Sequence, residues 1–194
     1  MSLPVVLASS SPYRRALLER LGLPFDCRSP DVDEAPRADE TPLDLAPRLA
    51  QSKAEAVAAE LNAPSLVIGS DQVASIHGSP VGKPGGRERA AAQLRRASGR
   101  TVEFFTAVTV LESGSGRQEH ALDQTRVHFR ALEDREIERY LDREAPYDCA
   151  GSFKAEALGI TLFDSIESTD PTGLIGLPLI ALARLLRQFG CRLP

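Results

Sequence analysis

The chain has 194 residues, 42% of them hydrophobic and 26% charged, with a formal net charge of −4. That composition suits a globular fold with a sizeable core; it excludes a membrane span, which needs roughly 18 consecutive apolar residues, and general binding to nucleic-acid polymers, which needs clustered Lys and Arg. Cys27, Cys149 and Cys191 lie far apart without C-x-x-C spacing, which argues against a zinc or dithiol site and fits a reducing cytoplasm.

The opening PVVLASSSPYRRALLERLG reads as strand, turn and helix: an apolar run, three serines, Ser11 as N-cap, Pro12 in the first helical position and Gly22 as the stop. No basic residue precedes the apolar run, so it reads as a first strand and not as a secretory leader. The segment DCRSPDVDEAPRADE is polar, proline-punctuated and aperiodic, and reads as an acidic loop. Thr41 and Pro42 repeat the cap-then-proline signal before a helix with Leu45, Leu49, Ala50, Ala54, Val57 and Leu61 on one face. Pro47 falls inside that run, where a proline usually kinks a helix, so a later start stays open.

Leu66, Val67 and Ile68 then begin a strand expected to end at Asp71, followed by a turn through Gly78. RERAAAQLRRASG reads as a helix closed by Gly99, and two β-rich arms around Ser113–Gly116 read as a long hairpin. EDREIERYLDRE is an amphipathic helix, ITLFDSI is strand-like, and Pro178 starts a last helix closed by Gly190. This order points to a mixed α/β domain.

Several groups carry chemistry. Ser9, Ser10 and Ser11 before a helix start, with Arg14 and Arg15 in its first turn, suit a phosphate. Asp71 stands at the expected strand end, where open α/β sheets keep their ligand sites. Asp31, Asp33 and Glu34 supply a second carboxylate, and two carboxylates with substrate phosphates are a common way to hold Mg²⁺. Lys53, Lys83 and Lys154, taken singly, read as surface lysines. GSPVGKP is not a phosphate-binding P-loop, because the glycine spacing is short and Pro84 stands where a metal-binding hydroxyl is needed. His77, His120 and His128 lack metal-ligand spacing.

The stretches LASSSPYRRALLERLG, DVDE, RLAQSKA, IGSDQV, GKP, CAGSFKAEALGI and GLPLIAL, in that order, resemble the Maf family of nucleoside triphosphate pyrophosphatases over essentially the whole chain. Within the family the pattern is most similar to the branch acting on 7-methyl-GTP, because Ser70, Asp71 and Gln72 stand where the pyrimidine-nucleotide branch has Thr-Asp-Thr. The resemblance implies one Maf-like domain over residues 1–194, an elongated two-lobed α/β fold of the Maf/ITPase kind, with a mixed sheet of long strands and a central cleft, often homodimeric. It implies a divalent-metal reaction, with Mg²⁺ or Mn²⁺, that releases nucleoside monophosphate and pyrophosphate. By position, Asp71 would be the catalytic carboxylate and a metal ligand with Glu34. Ser10, Arg14, Lys53, Lys83 and Lys154 would surround the triphosphate.

Tyr13, Gln72 and Glu156 are then the expected base-selecting set: the ring of 7-methylguanine is cationic, so an aromatic face and a carboxylate would both favour it. The competing reading is a nucleotide-binding regulator of septum formation that does not hydrolyse its ligand. Retained carboxylates at positions 34 and 71 weigh against it, since a pure binder of an anionic triphosphate gains by losing negative charge unless a metal is present.

Overall fold

A computed structural model describes residues 3–194; Met1 and Ser2, at the front of the segment read as the first strand, lie outside the described residues. Seven strands form one mixed sheet: β1 (Val5–Ala8), β2 (Phe25–Arg28), β3 (Leu66–Ile76), β4 (Ser79–Val81), β5 (Thr101–Glu112), β6 (Gln118–Phe129) and β7 (Phe163–Glu167). Their order is β2-β1-β3-β5-β6-β7, with β4 paired to β3. The β2-β1-β3 part is parallel and all the other pairings are antiparallel. The helices are α1 (Pro12–Glu19), α2 (Pro42–Ala59), α3 (Arg87–Ala97), α4 (Asp134–Glu144) and α5 (Leu179–Gln188).

Alternation along β3 assigns its two faces different work. Leu66 and Ile68 pack with Leu17, Leu18, Leu182 and Leu186 from α1 and α5. Ala74 and Ile76, on the same face farther along, pack with Leu94, Ile137 and Leu141 from α3 and α4. Ser70 and Gln72 lie between these two apolar clusters. On the opposite face α2 covers the strand, and it comes so close at Gly69 that an added Cβ would stand 2.1 Å from the Ala50 carbonyl oxygen.

Local chemistry explains the element ends. Ser11 accepts a hydrogen bond from the Arg14 N–H and Thr41 accepts one from the Asp44 N–H, each satisfying a free donor of a helix start. Glu133 and Glu136 form a reciprocal capping box at α4. The start of α5 has no side-chain cap of its own; the carboxylate of buried Asp170 accepts the N–H groups of Ile180 and Ala181 instead.

Three expectations need correction. The strand expected to end at Asp71 runs on to Ile76, because β5 keeps pairing with it as far as Ser75. The acidic loop begins with β2, an edge strand whose exposed Asp26, Cys27 and Arg28 carry no apolar alternation. The turn expected through Gly78 is present, with His77 and Gly78 both at positive φ, the geometry of a two-residue hairpin turn, and the short strand that follows it, β4, folds back on β3. ITLFDSI is half turn: residues Leu158–Leu162 are 3-10 helical and only Phe163 onward is strand.

Pro47 does not delay α2, which starts at Pro42 and runs through it. The carbonyl left without its N–H partner belongs to Leu43, which is solvent-exposed, so water can serve it.

Candidate active site

The register of β3 opens the site. On one edge, β1 pairs with β3 only as far as Gly69 and β4 joins only from Ala74, so Ser70–Val73 have no strand partner on that side. A cleft of about 740 Å³ lies at this gap. The β1–α1 turn with Ser9–Arg14 forms one wall, Pro80–Lys83 another, and Leu174–Gly176 with Cys149, Ala150, Phe153, Ala155 and Glu156 complete it.

Buried Asp71 is the hub. Lys53 of α2, itself 5% exposed, donates a 2.6 Å hydrogen bond to Asp71 Oδ1. Its Nζ is also 2.6 Å from Glu34 Oε1, so one ammonium bridges both carboxylates. Arg14 Nη2 lies 4.0 Å from the same Asp71 Oδ1. Among the described residues Asp71 Oδ2 has no protein partner, which leaves it for a water or a cation. Partial burial pushes the Glu34 carboxyl up, but the hydrogen bond and charge of Lys53, with Lys83 and Arg14, outweigh it and hold Glu34 below its ordinary value. Burial lowers the Arg14 guanidinium, opposed by Asp71 and Glu34.

Adjacent residues of like type are sorted by the fold. Arg14 turns into the cleft and donates Nε–H to the Gly176 carbonyl at 2.9 Å, whereas Arg15 makes an exposed pair with Glu19 at 3.2 Å. Glu34 reaches Lys53, while Asp33 accepts the Ala35 N–H in a local turn and Asp31 is exposed and outside the cleft lining. Ser10 exposes its hydroxyl to the cleft; Ser9 and Ser11 spend theirs on the turn and the helix cap. Lys83 is exposed on the cleft wall.

Lys154 is not among the lining residues. Its Nζ lies 3.6 Å from Glu144 Oε1, and its carbonyl sits under Gly159, where a Cβ would approach it to 2.4 Å. The tight Lys154–Gly159 turn and the edge-on packing of Phe153 against Phe104, Phe129 and Phe163 hold this segment against the cleft.

Of the three expected base-selecting residues, all line the cleft. Tyr13 donates its hydroxyl to Asp148 Oδ2 at 3.2 Å; burial, with Cys149 and Asp148 alongside, pushes the phenol up. Glu156 is exposed on the wall. Gln72 directs its Nε2 at three oxygens, Thr106 Oγ1, Gly173 O and Leu174 O, at 2.9–3.0 Å. Asp148 went unnoticed in the sequence; its place directly before CAGSFKAEALGI is the only local signal it has. Ser70 also went unassigned: fully buried, its hydroxyl lies 2.8 Å from Ala107 O and 3.1 Å from Gly176 O.

Among the described residues no group of three or more His, Cys, Asp and Glu could hold a metal ion. Glu34 and Asp71 nevertheless bring two carboxylates together on the Lys53 ammonium, and hard oxygen donors of this kind suit Mg²⁺ or Mn²⁺ when substrate oxygens and waters complete the shell. No described helix is long and apolar enough to cross a membrane.

A mixed α/β sheet broken at one edge, with cations and carboxylates converging on the break, defines a protein built to handle phosphate anhydrides. The chain belongs to the Maf family: the family described as Maf-like protein matches residues 4–189. A 7-methyl-GTP pyrophosphatase of Xanthomonas oryzae pv. oryzae (strain MAFF 311018) is 60% identical over 190 residues, covering 98% of this chain and 98% of that protein. One of Bordetella pertussis (strain Tohama I / ATCC BAA-589 / NCTC 13251) is 59% identical over 186 residues, covering 96% and 92%. In fold, the chain is similar to a HAM1 protein from Coxiella burnetii, with a TM-score of 0.54 at 15% identity, covering 96% of this chain and 99% of that one.

Proposed function

We propose that the protein is a nucleoside triphosphate pyrophosphatase that hydrolyses 7-methyl-GTP to the nucleoside monophosphate and pyrophosphate. The observation that carries the reading is the bridge of buried Lys53 between Asp71 and Glu34, in one cleft with Ser10, Arg14 and Lys83. The naming of relatives at 59–60% identity over nearly their full length supports the substrate. The whole chain then works as one domain with two lobes around one cleft, and its three free cysteines fit a reducing cytoplasm.

In this reading Ser10, Arg14, Lys53 and Lys83 hold the triphosphate oxygens and stabilise charge that builds up on them. Asp71 Oδ2 orients a water and takes its proton. The water oxygen bonds to the α-phosphorus, the bridging α–β P–O bond breaks, and its electron pair leaves with pyrophosphate. Glu34 and Asp71 would hold the divalent cation, which when bound supplies further neutralisation of the phosphate oxygens. Tyr13, drawn toward Asp148, and Glu156 supply an aromatic and acidic lining suited to a cationic base.

Pyrophosphate release with Mg²⁺ or Mn²⁺ across 7-methyl-GTP, GTP, UTP, dTTP and CTP tests the reading, with Asp71→Asn alongside. We expect preference for 7-methyl-GTP and a loss of about 10²-fold or more in turnover in the variant. Binding without turnover of any nucleotide would leave the regulator reading standing.

A further inference from the structure

Glu156 stands on the cleft wall, and among the described residues its side chain makes no hydrogen bond or ion pair, so its place is set by the backbone that carries it. That backbone is fastened to α4 at two points. Tyr140 Oη accepts the Lys154 N–H at 3.2 Å, and Glu144 Oε2 accepts the Leu158 N–H at 3.0 Å. Tyr140 and Glu144 lie four residues apart, one turn along one face of the helix, and the two amides they hold flank Glu156 two residues to either side.

The helix end of each contact is well seated. Tyr140 is 3% exposed and belongs to the apolar cluster with Ile137, Leu141 and Phe153. The Glu144 side chain is half-buried, and its Oε1 lies 3.6 Å from Lys154 Nζ, so one carboxylate grips the loop both by a backbone amide and by an ammonium. Between the two contacts the loop closes on itself: the Ala157 N–H donates to Lys154 O at 3.3 Å, and an added Cβ at Gly159 would stand 2.4 Å from that same oxygen. The stretch from Lys154 to Gly159 is therefore one tight unit resting on α4.

We propose that Tyr140 and Glu144, neither of which lines the cleft, are positioning residues that seat this loop and through it hold the Glu156 carboxylate against a cationic base. The proposal rests on the reading in which Glu156 faces the base. Lys154 then serves the seat of the loop and not the phosphates, because its ammonium is what Glu144 holds. Attraction between a carboxylate and a cationic ring falls as they separate, so a loosened loop weakens 7-methylguanine and leaves neutral guanine almost unaffected.

The test measures KM and kcat for 7-methyl-GTP and GTP in Glu144→Ala, Glu144→Gln and Tyr140→Phe, each also in a Glu156→Gln background, with thermal unfolding confirming the fold. Glu144→Ala should raise KM for 7-methyl-GTP on the order of fivefold, and Tyr140→Phe should move it in the same direction. KM for GTP and both kcat values should stay within about twofold of the parent. Glu144→Gln keeps an oxygen for the Leu158 N–H and should recover most of the preference. In the Glu156→Gln background the effect of Glu144→Ala should shrink to within about twofold, the sign that the two act as one unit.

A Glu144→Ala protein in which both nucleotides change alike would overturn the proposal, since Lys154, once released, would then be acting on the phosphates. An effect that persists undiminished in the Glu156→Gln background would overturn it too. Should Glu144→Ala fail to fold, Tyr140→Phe carries the same comparison. Calorimetric binding of 7-methyl-GMP and GMP needs no turnover and so separates this proposal from the assigned reaction. A preference for 7-methyl-GMP that falls in Glu144→Ala supports positioning even if no nucleotide is hydrolysed; a preference left unchanged, or equal binding of the two by the parent protein, refutes it.

Discussion

Replacing Gly69 by Ala tests how closely the site depends on the seating of α2. The added methyl would lie 2.1 Å from Ala50 O, 2.8 Å from Ala54 N and 2.9 Å from Ala54 Cβ. Ordinary contact for such atoms is about 3.5 Å, so α2 must withdraw from β3 by more than about 1 Å. It cannot do so freely, since its own Leu45, Ala46, Leu49, Ala50, Ala54 and Val57 are all buried. Overpacking of this kind costs about 3 kcal/mol, at the upper end of its range, because backbone and not a flexible side chain is in the way. For a chain of this size that lowers Tm by roughly 6–12 °C. Lys53 lies between Ala50 and Ala54 and moves with the helix, breaking its 2.6 Å contacts to Asp71 and Glu34; a misplacement of about 1 Å lowers turnover on the order of 10²-fold. Thermal unfolding and pyrophosphate release report both effects, with Gly86→Ala as control because its Cβ meets nothing within 4 Å. A Gly69→Ala protein with parental Tm and turnover would refute the steric argument.

Other predictions concern pH, capping and thiol reactivity. Hydrogen bonds from Arg48 and from the Arg37 N–H hold Glu40 down from 4.5 to about 2, so its contribution to stability is present above pH 4.5 and lost as pH falls through 2. Urea unfolding of wild type and Glu40→Gln should differ at neutral pH and converge toward pH 2; a constant gap would contradict the linkage. Asp170→Ala should destabilise by roughly 2 kcal/mol, because it leaves the N–H groups at the start of α5 and the buried Thr172 N–H without acceptors, and a loss under about 0.5 kcal/mol would discount the cap. Burial and Asp148 push the Cys149 thiol up to about 11. Iodoacetamide should therefore label exposed Cys27 well before Cys149 at pH 8, and mass spectrometry showing equal rates would count against that environment.

Helix starts at Ser11 and Thr41 were legible because a cap is local chemistry, readable from a few neighbouring residues. The full length of β3 was not: Ser70, Asp71 and Gln72 look like the end of an apolar strand, and only the pairing with β5 shows that the strand continues beneath them. Lys53 and Lys154 were equivalent in sequence, each a lone lysine. What separates them is the partner delivered by the fold, Asp71 with Glu34 for one and Glu144 for the other. Gln72 was visible as a site residue, yet its hydrogen-bond partners are backbone carbonyls more than a hundred positions away, and a carbonyl leaves no mark on residue type. Glu34 and Asp33 are neighbours of like charge that only family position separates in the sequence; in the structure the longer side chain reaches the Lys53 ammonium while its neighbour closes a turn.

The gap along β3 also bears on how the protein avoids self-association. An unpaired strand edge is a template for a foreign strand, and long flat edges invite aggregation. At this gap the unpaired ladder is the short stretch Ser70–Val73, recessed between the serine turn and the Pro80–Lys83 wall and bearing a buried charge at Asp71. A second polypeptide would have to desolvate that carboxylate and enter between those two walls to add itself there. The same interruption that makes room for a small anionic ligand therefore denies the edge to another chain.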